Sequence, residues 1–191
     1  MTTYQIALSV HLLALLAATA ASAIVHFAAG RRTVTPSLRE ALEWGKVMSA
    51  ASRTFPVAVI TLVATGLYMV AGRWQWQAGW VAAGMAGALT LLASGAVIGV
   101  RSAAAARASL QRLARAGHDL PNDAPPDRVA ALLSEANTGI ALAVVLVMTL
   151  KTGLIASLAV LAVGAAAGAY RALSRGFGHS ALAGTAEVET A

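Results

Sequence analysis

His11, Met69, Met85 and Met148 are the side chains of this sequence best suited to a soft metal, and Lys151 is the one ammonium set deep in apolar surroundings. Imidazole and thioether together suit Cu(I) or a haem iron. A lysine could steady an anionic group beside such a centre, a haem propionate for example. Its ordinary alternative is to snorkel to the nearer interface with its stem on apolar surface. Methionine likewise fills gaps in any core. The ordinary role for His11 is a hydrogen bond to a carbonyl, Ser or Thr on a neighbouring helix.

Whether these groups can meet depends on the elements that carry them. Hydrophobic residues make up 58% of the chain and charged residues 12%, with a mean hydropathy of +0.71. Soluble domains carry about twice that charge fraction. Apolar runs of roughly 20 residues recur, each long enough to cross about 30 Å of hydrocarbon as a helix. Strand-length alternation is absent, so a β-barrel is excluded. The expected fold class is therefore all-α, a polytopic transmembrane bundle. Five helices are expected at about 4–29, 48–71, 78–101, 129–150 and 153–172, in one domain over 1–175, with a disordered tail at 176–191. The third is expected to continue beyond the membrane until Gly117, and Asp127 to cap the fourth. A four-helix version would leave Lys151 in mid-span.

Charge favours five. Loop one, loop three and the tail, with their flanks, hold twelve Lys and Arg, against Arg73 and Lys151 on the other side. That bias puts the N-terminus outside and the C-terminus in the cytoplasm of a bacterial inner membrane. No Lys or Arg precedes the first run and Arg31 and Arg32 follow it, so the run reads as a retained helix and not a signal peptide. The net charge of +6 is accounted for by topology without nucleic acid. Trp74, Trp76 and Trp80 at one face, and Trp44 towards the other, suit interfacial belts.

This topology brings His11, Met69, Met85 and Met148 to a similar depth on four helices, with Lys151 at the outer end of the fourth. His11 is about 10 Å below the outer edge. His26 lies about 22 Å further down the same helix, too far for one haem to bridge both. His118 falls in a loop and His179 in the tail, so a bis-histidine haem within one subunit is excluded. Glu135 and Asn137 open the fourth helix, where Glu135 favours the positive end of the helix dipole or pairs with Arg53 or Arg128. Gly95 and Gly99, and Gly164 and Gly168, have the spacing that lets helices approach closely, within the chain or against partner membrane proteins or a second copy. With no cysteine, disulfides and thiolate metal sites are out. No phosphate-binding loop, dinucleotide fingerprint, zinc-protease motif or nucleophile elbow is present. A non-catalytic role is therefore preferred to an enzyme.

The stretches "ALSVHLLALL" with His11, "TGLYM" at 65–69 and "LVMTLKTG" with Lys151 resemble the CopD/HemJ-like superfamily of small bacterial membrane proteins, over roughly residues 5–155. In that superfamily the helix-one histidine and a late lysine are hallmark positions. The resemblance implies His11 and Lys151 as cofactor-binding residues and haem b or copper as the cofactor. Here Lys151 is followed by Thr152 and not the usual proline, and helix one ends "AASAIVHFAAG", so the chain is most similar to the uncharacterised members. Three expectations follow, in order: a haem- or copper-binding membrane protein, a non-catalytic membrane subunit packing against partners, and a HemJ-like protoporphyrinogen oxidase.

Overall fold

A computed structural model describes residues 2–73, 79–123 and 127–188, with side chains over 2–72, 79–123 and 127–174. Trp74 and Trp76 lie outside the described residues. The elements are α1 (Thr3–Val34), α2 (Leu38–Ser52), α3 (Thr54–Arg73), α4 (Gly79–Ala116), α5 (Arg128–Leu150) and α6 (Leu154–Val188). Five spans are long and apolar enough to cross a membrane, α2 and α3 counting as one from Leu38 to Gly72. Among the described residues there is no strand, only an isolated bridge between Ser37 and Pro121. The all-α reading with five spans holds.

Helix ends depart from the sequence reading where charge sets in. The expected first helix stops at 29 and the second begins at 48. The structure instead runs α1 on through Arg31 and Arg32 and winds the expected loop into α2. Hydropathy marks where a helix leaves hydrocarbon, whereas Ala, Leu, Arg and Glu continue to favour helix beyond it. The continuation of α4 past 101, to Ala116, is as expected, and α6 likewise runs on past 172. Gly117, with φ of 69°, then stops α4 as expected, since a left-handed residue costs glycine nothing. Asp127 caps α5 by accepting from the Val129 and Ala130 N–H groups, also as expected. Between α2 and α3 the chain is helical on both sides of Arg53, whose N–H reaches the Ala50 carbonyl at 3.3 Å. Pro56 falls in the first turn of α3, where no N–H is needed.

The chain divides into two compact units. The first comprises Met1–Gln77 with Gly99–Pro125. In it α1 packs antiparallel against α2 and α3. Its contact stripe is Ala14, Ala21 and Ala28, small residues seven apart that let the backbones approach. The turn that ends α1 and opens α2 is closed by the segment after α4. Asp119 accepts from the Ser37 hydroxyl at 2.5 Å, the Arg39 N–H at 3.1 Å and the Leu120 N–H at 2.9 Å. The Leu38 N–H donates to the Leu120 carbonyl, and the Glu40 N–H to the Ser37 hydroxyl. The first three amides of α2 are thereby all satisfied. Asn122 in turn donates from its side-chain amide to the Arg32 and Thr35 carbonyls, each at 3.0 Å, so the end of α1 is capped as well.

The second unit comprises Ala78–Ile98 with Pro126–Ala191. Here α5 and α6 cross at glycines. A Cβ added to Gly139 would run into the Gly164 carbonyl, one on Gly164 would meet the Gly139 carbonyl at 2.5 Å, and one on Gly168 would run into the Glu135 carbonyl. The Gly164/Gly168 spacing therefore marks a real helix contact. At Gly95 and Gly99 nothing lies within 4 Å of an added Cβ, so the same spacing there is not used within the described chain.

Candidate functional site

His11 sits on α1 facing Thr65 of α3. Its Nδ1 lies 2.9 Å from the Thr65 hydroxyl oxygen. That hydroxyl is 2.6 Å from the Thr61 carbonyl one turn back. A hydroxyl has one hydrogen, and a carbonyl can only accept. With the hydrogen given to Thr61, the Thr65 oxygen accepts from His11, which assigns the proton to Nδ1 and leaves a bare lone pair on Nε2. The ring also has the Leu62 backbone carbonyl of α3 as a hydrogen-bond partner. Gly66 lies beside the ring, where an added Cβ would stand 3.7 Å from His11 Cε1 in ordinary contact. An imidazole anchored through Nδ1–H is the tautomer in which histidine ligates a metal through Nε2. Thr65 was not singled out in the sequence, although it opens the "TGLYM" stretch and falls at the depth of His11.

Met69 follows Thr65 by one helical turn, on the same side of α3, and is half-buried. It belongs with His11 to the first unit. Met85, Met148 and Lys151 belong to the second. Met148 is occupied in packing: its methyl fills the notch that Gly84 leaves on α4, where an added Cβ would collide with it. Met85 is half-buried on the same helix. Lys151 is not within a helix. It caps the C-terminus of α5 at φ 51° and ψ 43°, donating its N–H to the Val147 carbonyl at 2.9 Å, with an exposed side chain. This is the turn at the end of the fourth span where the five-helix reading places it. A left-handed non-glycine residue costs of order 1 kcal/mol.

The two polar groups at the start of α5 have definite partners. Glu135, with its side chain only 10% exposed, pairs with Arg171 Nε of α6 at 3.3 Å. Glu135 is thus nearly buried, and Arg171, which the sequence reading does not pair with it, is brought close by the glycine crossing. The Ser94 hydroxyl of α4 divides its one hydrogen between Asn137 Oδ1 at 2.7 Å and the Thr90 carbonyl at 2.6 Å. These contacts join helices within the second unit.

Among the described residues no group of three or more His, Cys, Asp or Glu could hold a metal ion. Any metal at His11 would therefore take its remaining ligands from thioethers, or be carried by a macrocycle that needs only one protein ligand. An apolar groove of about 240 Å³ between α1 and α3 is lined by Val10, Leu13 and Ala17 facing Thr54, Val57 and Thr61, and His11 is not among its lining residues.

Five helices of this length and apolarity make the chain a multi-pass, all-helical membrane protein. Comparison with family models, with curated proteins and with solved structures gives no match.

Proposed function

We propose that this chain is a bacterial inner-membrane protein that holds a haem b iron, or less favourably a copper ion, through Nε2 of His11 near its extracytoplasmic face. One observation carries the reading: Nδ1 of His11 lies 2.9 Å from a Thr65 hydroxyl whose own hydrogen goes to the Thr61 carbonyl, so the imidazole is oriented with its proton on Nδ1. Haem is preferred because a single axial imidazole is enough to hold it, and copper would call on Met69 as a thioether ligand. The bound group would supply electron transfer or ligand binding at the iron. The chain's own contribution is to fix the ring, exclude water by burial in the span and set the tautomer. The N-terminus outside and C-terminus inside follow from the charge bias. A reporter fused after Gly178 should therefore read cytoplasmic, and a periplasmic readout would reverse this orientation.

The test is the visible spectrum and metal content of the purified protein. A Soret band, or bound copper, lost in His11→Ala and kept in Thr65→Ser supports the reading. Thr65→Val, which removes the acceptor, should weaken retention of the group by about 10- to 100-fold. A colourless, metal-free protein whose stability is indifferent to His11→Ala refutes it.

The second reading is a non-catalytic membrane subunit. It draws on Gly95 and Gly99, whose open faces on α4 leave space for a helix of a partner or of a second copy. Porphyrinogen oxidation ranks third, and rescue of a strain lacking protoporphyrinogen oxidase would advance it.

A further inference from the structure

Residues 4–29 of α1 carry no Lys, Arg, Asp or Glu. A helix of that length measures about 39 Å, about 9 Å more than the hydrocarbon layer. The surplus is comparable to one headgroup layer, which is about 5–8 Å deep on each side. Ile24 and Phe27 fall in that surplus, and they are 47% and 64% exposed. Across the hairpin the α2 residues at this level are Trp44 and Val47, the latter 42% exposed. Phe27 and Trp44 meet edge to face, with ring centroids 6.0 Å apart and an interplanar angle of 79°. The Arg31 guanidinium lies over the Trp44 ring, 5.8 Å from its centroid.

This is an apolar, aromatic ledge that ends in a cation. The apolar part continues the membrane-spanning surface of α1. The exposed guanidinium lies over the indole at cation–π range, a contact that uses none of its five N–H donors. The nearby carboxylates are committed elsewhere: Glu43 pairs with Lys46 at 2.7 Å, Asp119 accepts from Ser37, and Asp123 pairs with Arg112 at 2.9 Å. Among the described residues Arg31 makes no ion pair. Arg32, next along the helix, adds to the positive field. A planar fork of donors at headgroup depth, above exposed aromatic and aliphatic side chains, matches a phosphate attached to an acyl chain.

We infer that Arg31, Trp44 and Phe27 form a binding site for the phosphate headgroup of an anionic phospholipid, whose upper acyl segments lie on Ile24, Phe27 and Val47. The inference is independent of any metal at His11.

The full chain is reconstituted into nanodiscs of phosphatidylcholine and phosphatidylglycerol in equal amounts. Lipids that remain bound after extraction are then counted by native mass spectrometry. Wild type should retain phosphatidylglycerol in preference to phosphatidylcholine. Arg31→Gln should cut that preference by about fivefold, the effect of roughly 1 kcal/mol for one arginine near an anionic surface. Arg31→Lys should restore part of it, and Arg107→Gln, an exposed charge on the extension of α4, should leave it unchanged. Added inorganic phosphate should not displace the lipid. The inference is overturned by equal retention of the two lipids, by an Arg31→Gln protein that behaves as wild type, or by displacement with free phosphate. It is also overturned if wild type is a dimer or a complex with another protein that Phe27→Ser dissolves, because the ledge is then a protein interface.

Discussion

Gly139→Ala is the substitution that tests the second unit most directly. The added methyl carbon would overlap the Gly164 carbonyl oxygen and stand 2.8 Å from its carbon, where ordinary contact begins at 3.4 Å. Both obstacles are backbone atoms of a helix, so neither can swing aside. Relief of the carbon contact alone asks α5 and α6 to part by about 0.6 Å, and relief of the oxygen asks for more. A gap of 0.5–1 Å forfeits a quarter to a half of each contact's attraction, and each contact is worth about 0.1–0.2 kcal/mol. Over the few tens of atom pairs at a crossing, together with the strain of overpacking, the expected cost is about 2 kcal/mol, or roughly thirtyfold in the folding equilibrium. Reversible unfolding by sodium dodecyl sulfate in mixed micelles measures it. Gly95→Ala is the internal control: its Cβ meets nothing within 4 Å, and alanine is the better helix former, so it should be neutral or stabilising. A Gly139→Ala protein within 0.5 kcal/mol of wild type would refute the close crossing, as would equal damage from Gly95→Ala.

Three further outcomes are expected. Lys151→Gly should stabilise the protein by up to about 1 kcal/mol in the same assay, by removing the strain of a left-handed lysine; a loss would show that the ammonium contributes more than the backbone strain costs. Ser94→Ala should cost about 0.6 kcal/mol through the lost bond to Asn137, the size typical of such contacts in membrane proteins. The clasp on the α1–α2 turn should survive at neutral pH and open in acid. The Ser37 hydroxyl foremost, with the Arg39 and Leu120 amides, holds the Asp119 carboxyl below its ordinary value of 3.8. A depressed carboxylate stabilises above its unfolded pKa and loses that effect as pH falls through the folded one. Amide exchange at Leu38 and Asn122, corrected for the intrinsic rate, should therefore accelerate only below about pH 3.8. Asp119→Asn should show faster exchange already at pH 7, and unchanged exchange there would remove Asp119 from the clasp.

The number of spans was legible because hydrophobic length is a local property, written in consecutive residues. So were the caps at Asp127 and Gly117, which act within a turn of themselves. Rotation about a helix axis is not local. Gly95 and Gly99 have the same spacing as Gly164 and Gly168, yet among the described residues only the second pair meets another backbone, because the neighbour is decided by packing and not by spacing. His11 was legible as an ionisable group in a span, but its anchor Thr65 is 54 residues away and looks like any threonine in a helix. Asp119 and Ser37 are 82 apart, and neither belongs to a motif that would have matched them. The partner of Glu135 was missed because Arg171 had been counted only as topology-setting charge, when the glycine crossing brings it to the carboxylate.

The distance in sequence between Ser37 and Asp119 bears on how the chain is made. The amides of Leu38 and Arg39 depend on groups synthesised some eighty residues later. While the ribosome is still building α3 and α4, those two donors must turn to water, and the start of α2 frays. The opening hairpin is thus threaded into the bilayer with its bend unfinished, and it sets only when the polypeptide from Asp119 to Asn122 has emerged to close it.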